Sequence, residues 1–214
     1  MQSCIWAVLL MCGQAESGHL ESRTHRDGTD DNWEIIFRER LVHPDGSISF
    51  RSRGVRRDGS VSYVERLYNS RGEPLKSTQE GSWGRLESTF DEQRVVRLID
   101  GKSHSQEIER KSLVDPTLFW FWKTHPHEGD SVVVSFAAAN QPTTFKIRLS
   151  YQGTEEIEAA GKKIRAHKVR EDPLDVAKGN EVYTIRWFDD KGMDIQRYHK
   201  ANKNEYRTKL INWR

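Results

Sequence analysis

The segment His125-Pro126-His127-Glu128-Gly129-Asp130 gathers the side chains best suited to hold a metal ion. Two imidazoles two residues apart on an extended loop can share one ion, and an adjacent carboxylate can add a third ligand. Metal centres usually draw further ligands from distant segments, and His104, His167 and His199 qualify only by residue type. His125 and His127 are therefore weak metal candidates, with solvated loop histidines as the default. Other catalytic patterns are missing. There is no Gly-x-Ser-x-Gly elbow for a serine hydrolase. There is no Gly-rich phosphate loop or dinucleotide fingerprint, so no cofactor is implied. The acid pairs in Glu155-Glu156-x-Glu158 and Asp189-Asp190 are of the kind that works on sugars. They fall at expected strand edges and a turn, where solvated charge is the plainer expectation. No catalytic residue is assigned, and the chain reads as a non-enzyme.

Just before the histidines, Phe119, Trp120, Phe121 and Trp122 follow one another. Asp115 can cap a helix, Pro116 fits its first turn and Pro126 ends it, which predicts a short helix at about residues 116–124. Consecutive aromatics point around the whole circumference, so such a helix must be buried on most sides. It can plug one end of a curved sheet. It can also wall an apolar ligand cavity or a partner-binding patch, and the two roles are compatible. These four aromatics are the candidate ligand-binding residues.

The rest of the chain must position them, and it reads as hairpins. Pro44-Asp45-Gly46 precedes Ser47-Ile-Ser-Phe50, and Asp58-Gly59 precedes Ser60-Val-Ser-Tyr63. Asp-Gly pairs supply the positive φ that tight hairpins need. Trp33 to Leu41 and Val61 to Tyr68 alternate apolar and polar residues, the mark of half-buried antiparallel strands. Further strands are expected over 94–99, 104–110, 131–137, 143–151, 162–170, 182–188, 195–199 and 205–213. The expected fold is all-β: one strongly curved antiparallel sheet or incomplete barrel of about a dozen strands, with the one short aromatic helix. Trp83, Trp187, Trp213, Phe136, Phe145, Tyr151, Tyr183 and Phe188 are expected to build its inner face, and Glu87, Glu107, Glu109, Arg110, Lys146 and Arg148 its outer one.

Composition bounds the partners. A net charge of +2 with 31% charged residues is a mixed surface, not the positive stripe that nucleic acid requires. Arg51, Arg53, Arg56 and Arg57 form the densest basic group and read as solvated strand and turn positions. No segment is long and apolar enough to span a bilayer. Both cysteines, Cys4 and Cys12, lie in the uncharged run Cys4 to Gly13, which has the length of a secretory signal core. Two processing routes fit. Cleavage after Ala15 would release a soluble chain. Alternatively Leu9-Leu10-Met11-Cys12 is a loose lipobox, and a lipid on Cys12 would be the membrane tether. Met11 is unusual before a lipidated cysteine, and no Lys or Arg precedes the run. The polar stretch 16–31 is expected to be a disordered linker, leaving 32–214 as a single β domain. Export places the protein in the periplasm or at the outer membrane of a bacterium.

From Asp115-Pro116 to about Tyr198 the chain resembles an uncharacterised exported bacterial family, domain of unknown function 3108. The resemblance is carried by His127-Glu-Gly-Asp130, Gly153-Thr-Glu-Glu-Ile157, Ala160-Gly-Lys-Lys-Ile-Arg-Ala-His-Lys-Val169 and Ile185-Arg-Trp-Phe-Asp-Asp-Lys-Gly-Met-Asp-Ile195. It implies export and a curved antiparallel sheet similar to that of envelope proteins that carry lipids or lipoproteins, and it implies no known reaction. Three functions remain in play. The first is binding of a hydrophobic small molecule or an envelope protein. The second is a scaffold with a packed interior and no ligand. The third, least supported, is a metal-dependent hydrolase using His125 and His127.

Overall fold

The repeated Asp-Gly-Ser units fold alike. Asp45 Oδ1 accepts the Ser47 N–H at 2.9 Å and Asp58 Oδ1 accepts the Ser60 N–H at 2.8 Å. Gly46 and Gly59 take the positive φ that each turn requires, 79° and 81°. Each turn closes a hairpin. The computed structural model describes residues 15–26, 29–70, 73–82, 84–91, 94–99, 101–107, 127–137, 144–190 and 192–213.

The elements are β1 (Ala15–Arg26), β2 (Thr29–Val42), β3 (Ile48–Arg56), β4 (Val61–Tyr68), β5 (Pro74–Gly81), β6 (Gly84–Phe90), β7 (Arg94–Ile99), β8 (Lys102–Glu107), β9 (Ser131–Ala137), β10 (Thr144–Ala159), β11 (Lys162–Pro173), β12 (Val182–Phe188), β13 (Asp194–Ala201) and β14 (Asn204–Trp213). They form one sheet in the order β8-β7-β6-β5-β4-β3-β2-β1-β14-β13-β12-β11-β10-β9. All pairings are antiparallel. Two meanders, β1–β8 and β9–β14, are joined where β1 pairs with β14. The edges are β8 and β9, and they do not pair with each other, so the sheet is not closed.

Curvature follows from the core. Ile48, Phe50 and Tyr68 of β3 and β4 pack with Val134, Ile147, Leu149, Tyr151, Val169 and Phe188 of β9 to β12. These groups lie far apart in strand order, so the sheet rolls until they meet, and β5 to β8 continue beyond that contact. A second cluster joins Ala159, Ala166, Trp187, Ile195 and Leu210. There the tip of the long β10–β11 hairpin reaches β14, and the Ala160 N–H donates to the Leu210 carbonyl at 3.2 Å. A register shift between Tyr151 and Thr154 lets β10 serve both clusters, because it reverses which alternate residues face inward.

Three expectations need correction. Residues 16–31 are no disordered linker, since Ala15–Arg26 is a strand with partners on both sides. Its low apolar content misled, because backbone pairing to β2 and β14 supplies the order that side-chain burial alone would not. Trp187 and Phe188 cannot both face inward, because successive side chains on a strand alternate. Phe188 belongs to the first cluster and Trp187 to the second. Trp187 donates its indole N–H to Glu155, so Glu155 is not merely solvated. Trp83 and the helix expected at 116–124 lie outside the described residues, as do Glu109 and Arg110. Arg51, Arg53, Arg56 and Arg57 are exposed, as expected. Among the described residues no helix is long and apolar enough to cross a membrane.

Candidate functional site

The inner face is basic. Directly paired residues of an antiparallel sheet share a face. On β12 and β13, Arg186 stands opposite Arg197. Two cations so placed repel. A register shift between Trp187 and Phe188 brings Asp194 alongside them. Asp194 Oδ2 lies 2.9 Å from Arg197 Nη2, 3.0 Å from Arg38 Nη1 and 3.4 Å from Arg186 Nη1. On β11, Glu171 Oε1 lies 2.8 Å from Arg186 Nε. The side chains of Arg186, Glu171 and Asp194 are only 5%, 8% and 6% exposed. Burial alone would raise Asp194, but the charges of Arg197, Arg38 and Arg186 outweigh it and hold the carboxylate below its ordinary pKa. Burial lowers Arg38, and the Asp194 charge opposes that fall. Beside the cluster is a cavity of about 30 Å³, whose walls include Phe50, Arg66 and Met193. That is room for about one water or a small ion, not for an acyl chain.

A second polar feature runs across the other half of the sheet. Arg40 pairs with Phe50, Phe50 with Arg66, and Arg66 with Ser77. Ser77 then pairs with Ser88, and Ser88 with Arg97. This row shares the face of Phe50 and hence the interior. Ser77, Ser88 and Arg97 are 2%, 1% and 1% exposed. Apolar pairs flank them, Leu86–Ile99 on one side and Phe90–Val95 on the other.

A third group is Tyr151–His167–Asp190. The Tyr151 hydroxyl lies 2.9 Å from His167 Nδ1, and His167 Nε2 lies 2.9 Å from Asp190 Oδ1. The order of groups is that of an acid–base relay. However, the tyrosine is buried in the first core cluster. Burial raises its pKa, the opposite of what an activated phenolate needs. The relay ties the β10–β11 hairpin to the turn after β12.

Of the residues singled out in the sequence, Phe119, Trp120, Phe121, Trp122, His125 and Cys12 lie outside the described residues. His127 is exposed, and its backbone N–H donates to Asp130 Oδ2 at 3.0 Å, forming the turn that enters β9. Among the described residues no group of three or more His, Cys, Asp or Glu could hold a metal ion. Sequence reasoning passed over the buried arginines Arg40, Arg97 and Arg186. A signal for Arg97 was present: it sits between Val95 and Ile99 on the apolar phase of its strand.

No protein-family model matches the chain, and no curated protein does. Solved structures do. A β-barrel-like protein of domain of unknown function 1849 from Brucella abortus aligns with a TM-score of 0.69 at 9% identity, covering 95% of this chain and 98% of that one. A Bacteroides fragilis protein with a YmcC-like fold aligns over the same shares at 11% identity, with a TM-score of 0.38. The first likeness shows the fold alone: the chain has the architecture of β-barrel-like proteins of unknown function, and the family resemblance over 115–198 is not among these matches.

Proposed function

We propose that the protein is a non-enzymatic binding protein of the bacterial cell envelope, and that it holds a hydrophobic ligand against the inner face of its curved sheet. The observation that carries this reading is the inner face of β6 and β7. Leu86, Phe90 and Val95 are buried there, 2%, 7% and 0% exposed, yet among the described residues they belong to neither core cluster. The chain that leads from edge β8 to edge β9 carries Phe119, Trp120, Phe121 and Trp122. Four consecutive aromatics in that connection are the candidate apolar residues for such a ligand. An aromatic wall and an apolar strand face are the usual lining of a lipid-sized site. Export rests on the apolar run at residues 4–13 and on the resemblance to an exported family. If Cys12 carries a lipid, only Gly13 and Gln14 separate it from β1, so the sheet would sit against the bilayer without a spacer.

Native mass spectrometry of the full processed chain, purified from its own host without detergent, tests the reading. The expected result is a lipid-sized adduct that is lost in the Trp120→Ala/Trp122→Ala variant while circular dichroism is unchanged. A bare protein mass that persists after incubation with envelope lipids would refute it, leaving a packed scaffold.

A further inference from the structure

We propose that Ser77, Ser88 and Arg97 form the seat for an anionic headgroup, a carboxylate or phosphate, of the bound hydrophobic molecule. This rests on the binding function proposed above and adds the chemical class of its ligand. Three observations on the row carry it.

First, Arg97 is 1% exposed, yet among the described residues its guanidinium has one hydrogen bond, from Nη1 to Gln106 Oε1 at 2.9 Å. Among the described residues its Nε and Nη2 have no partner, and neither do the Ser77 and Ser88 hydroxyl oxygens. Four polar atoms on directly paired residues of three neighbouring strands are thus left over together. Buried polar groups are normally satisfied, and a buried cation almost always is. Second, the unmet need has one sign. A guanidinium only donates, and each hydroxyl can donate as well, so the complementary group is an acceptor with negative charge. No carboxylate stands in the row from Arg40 to Arg97. Burial alone lowers the pKa of Arg97, with no acidic neighbour opposing it, whereas Arg38 has Asp194. Third, the pairs on either side of Ser88–Arg97 are apolar, Leu86–Ile99 and Phe90–Val95. A seat for charge between apolar walls matches an amphiphile better than a free ion.

Binding to the full chain, stripped of bound lipid on a hydrophobic resin, can be measured by calorimetry with four probes: dodecanoate, dodecyl phosphate, dodecanol and inorganic phosphate. At least one anionic amphiphile should bind about 10- to 100-fold more tightly than dodecanol, the factor expected for hydrogen bonds to a charged group. Arg97→Met should abolish that preference, and Ser88→Ala should reduce it. Arg85→Met, at an exposed position, should leave it unchanged. Melting of the ligand-free protein supplies an independent readout. Because Arg97 is uncompensated there, Arg97→Met should leave the midpoint unchanged or raise it. A lowered midpoint would mean that Arg97 is a structural ion-pair member and would overturn the proposal. Equal binding of dodecanol and both anions would overturn the anionic seat while sparing the hydrophobic function. Inorganic phosphate binding as tightly as dodecyl phosphate would keep the seat and overturn the hydrophobic function. Binding of no probe would overturn both.

Discussion

Asp194→Asn should be among the most damaging single changes in this protein. The Asp194 carboxylate lies within 3.4 Å of three guanidinium groups, those of Arg38, Arg186 and Arg197, and is itself 6% exposed. Asparagine keeps the shape and removes the charge, so three cations would face one another, while Glu171 remains beside Arg186. Breaking a buried ion cluster by removing one member costs about 3–5 kcal/mol. For a chain of this size each kcal/mol moves the melting temperature by roughly 2–4 °C, so a fall of about 6–20 °C is expected. Urea unfolding followed by tryptophan fluorescence reads the same loss at constant temperature. The acid limb gives a second check. The folded-state pKa of Asp194 is depressed. Its stabilisation is therefore full above the unfolded value of about 4 and is lost as pH falls through the folded value. Asp194→Asn should remove that contribution, flattening stability below about pH 4 relative to the native chain. Adding Arg38→Met to the variant should recover part of the loss, because one unbalanced cation goes with it. A loss below about 1 kcal/mol for Asp194→Asn, with no recovery in the double variant, would refute the idea that this carboxylate holds the inner face together.

Two further changes probe other parts of the sheet. His199 has its pKa lowered by burial and by the charges of Arg197 and Arg186. It is neutral in the folded chain where the unfolded chain binds a proton, so it costs stability progressively as pH falls below about 6.5. His199→Gln should flatten that part of the stability–pH curve, and proton NMR of the His199 ring should show a folded pKa below the unfolded one. Asn202 sits at φ 58° in the turn between β13 and β14, and its side-chain oxygen accepts the Glu181 N–H at 3.1 Å. Asn202→Ala should lower stability by about 1–2 kcal/mol in thermal melts, and Asn202→Gly by less, because glycine restores the left-handed backbone but not the hydrogen bond.

How much of this was legible depended on where the local pattern and the global fold agreed. Asp45-Gly46 and Asp58-Gly59 announced their hairpins, and Val61 to Tyr68 and Val182 to Phe188 announced their strands, because turn chemistry and alternation are local. β1 was hidden. Its residues are polar, and its order comes from backbone pairing of both edges with β2 and β14, the latter at the far end of the chain. β5 and β6 were hidden for a related reason: Ser77 and Ser88 occupy positions where an apolar residue would have completed the alternation. The charged cluster was not legible at all. Asp194 reaches Arg38 only because the sheet brings β2 and β13, separated by β1 and β14, within side-chain reach of each other, a closeness that no spacing along the chain records.

The buried charges on the inner face follow two different solutions, and the difference separates structure from function. In the strands from β11 to β2, Arg38, Arg186 and Arg197 are met by Asp194 and Glu171, so the cations are balanced by the chain itself. In β5 to β7 the same face carries Arg97 beside two hydroxyls with no acid among the described residues. A charge balanced internally is part of the fold, and removing a member must destabilise the protein. A charge left unbalanced lowers the stability of the empty protein and is retained only where something else meets it. The two groups should therefore respond to neutralisation with opposite signs: a large loss at Asp194, and no loss or a gain at Arg97 in the ligand-free chain. Such a contrast between two buried ionic positions on one sheet face cannot come from general fragility of the β-structure, which would lower both.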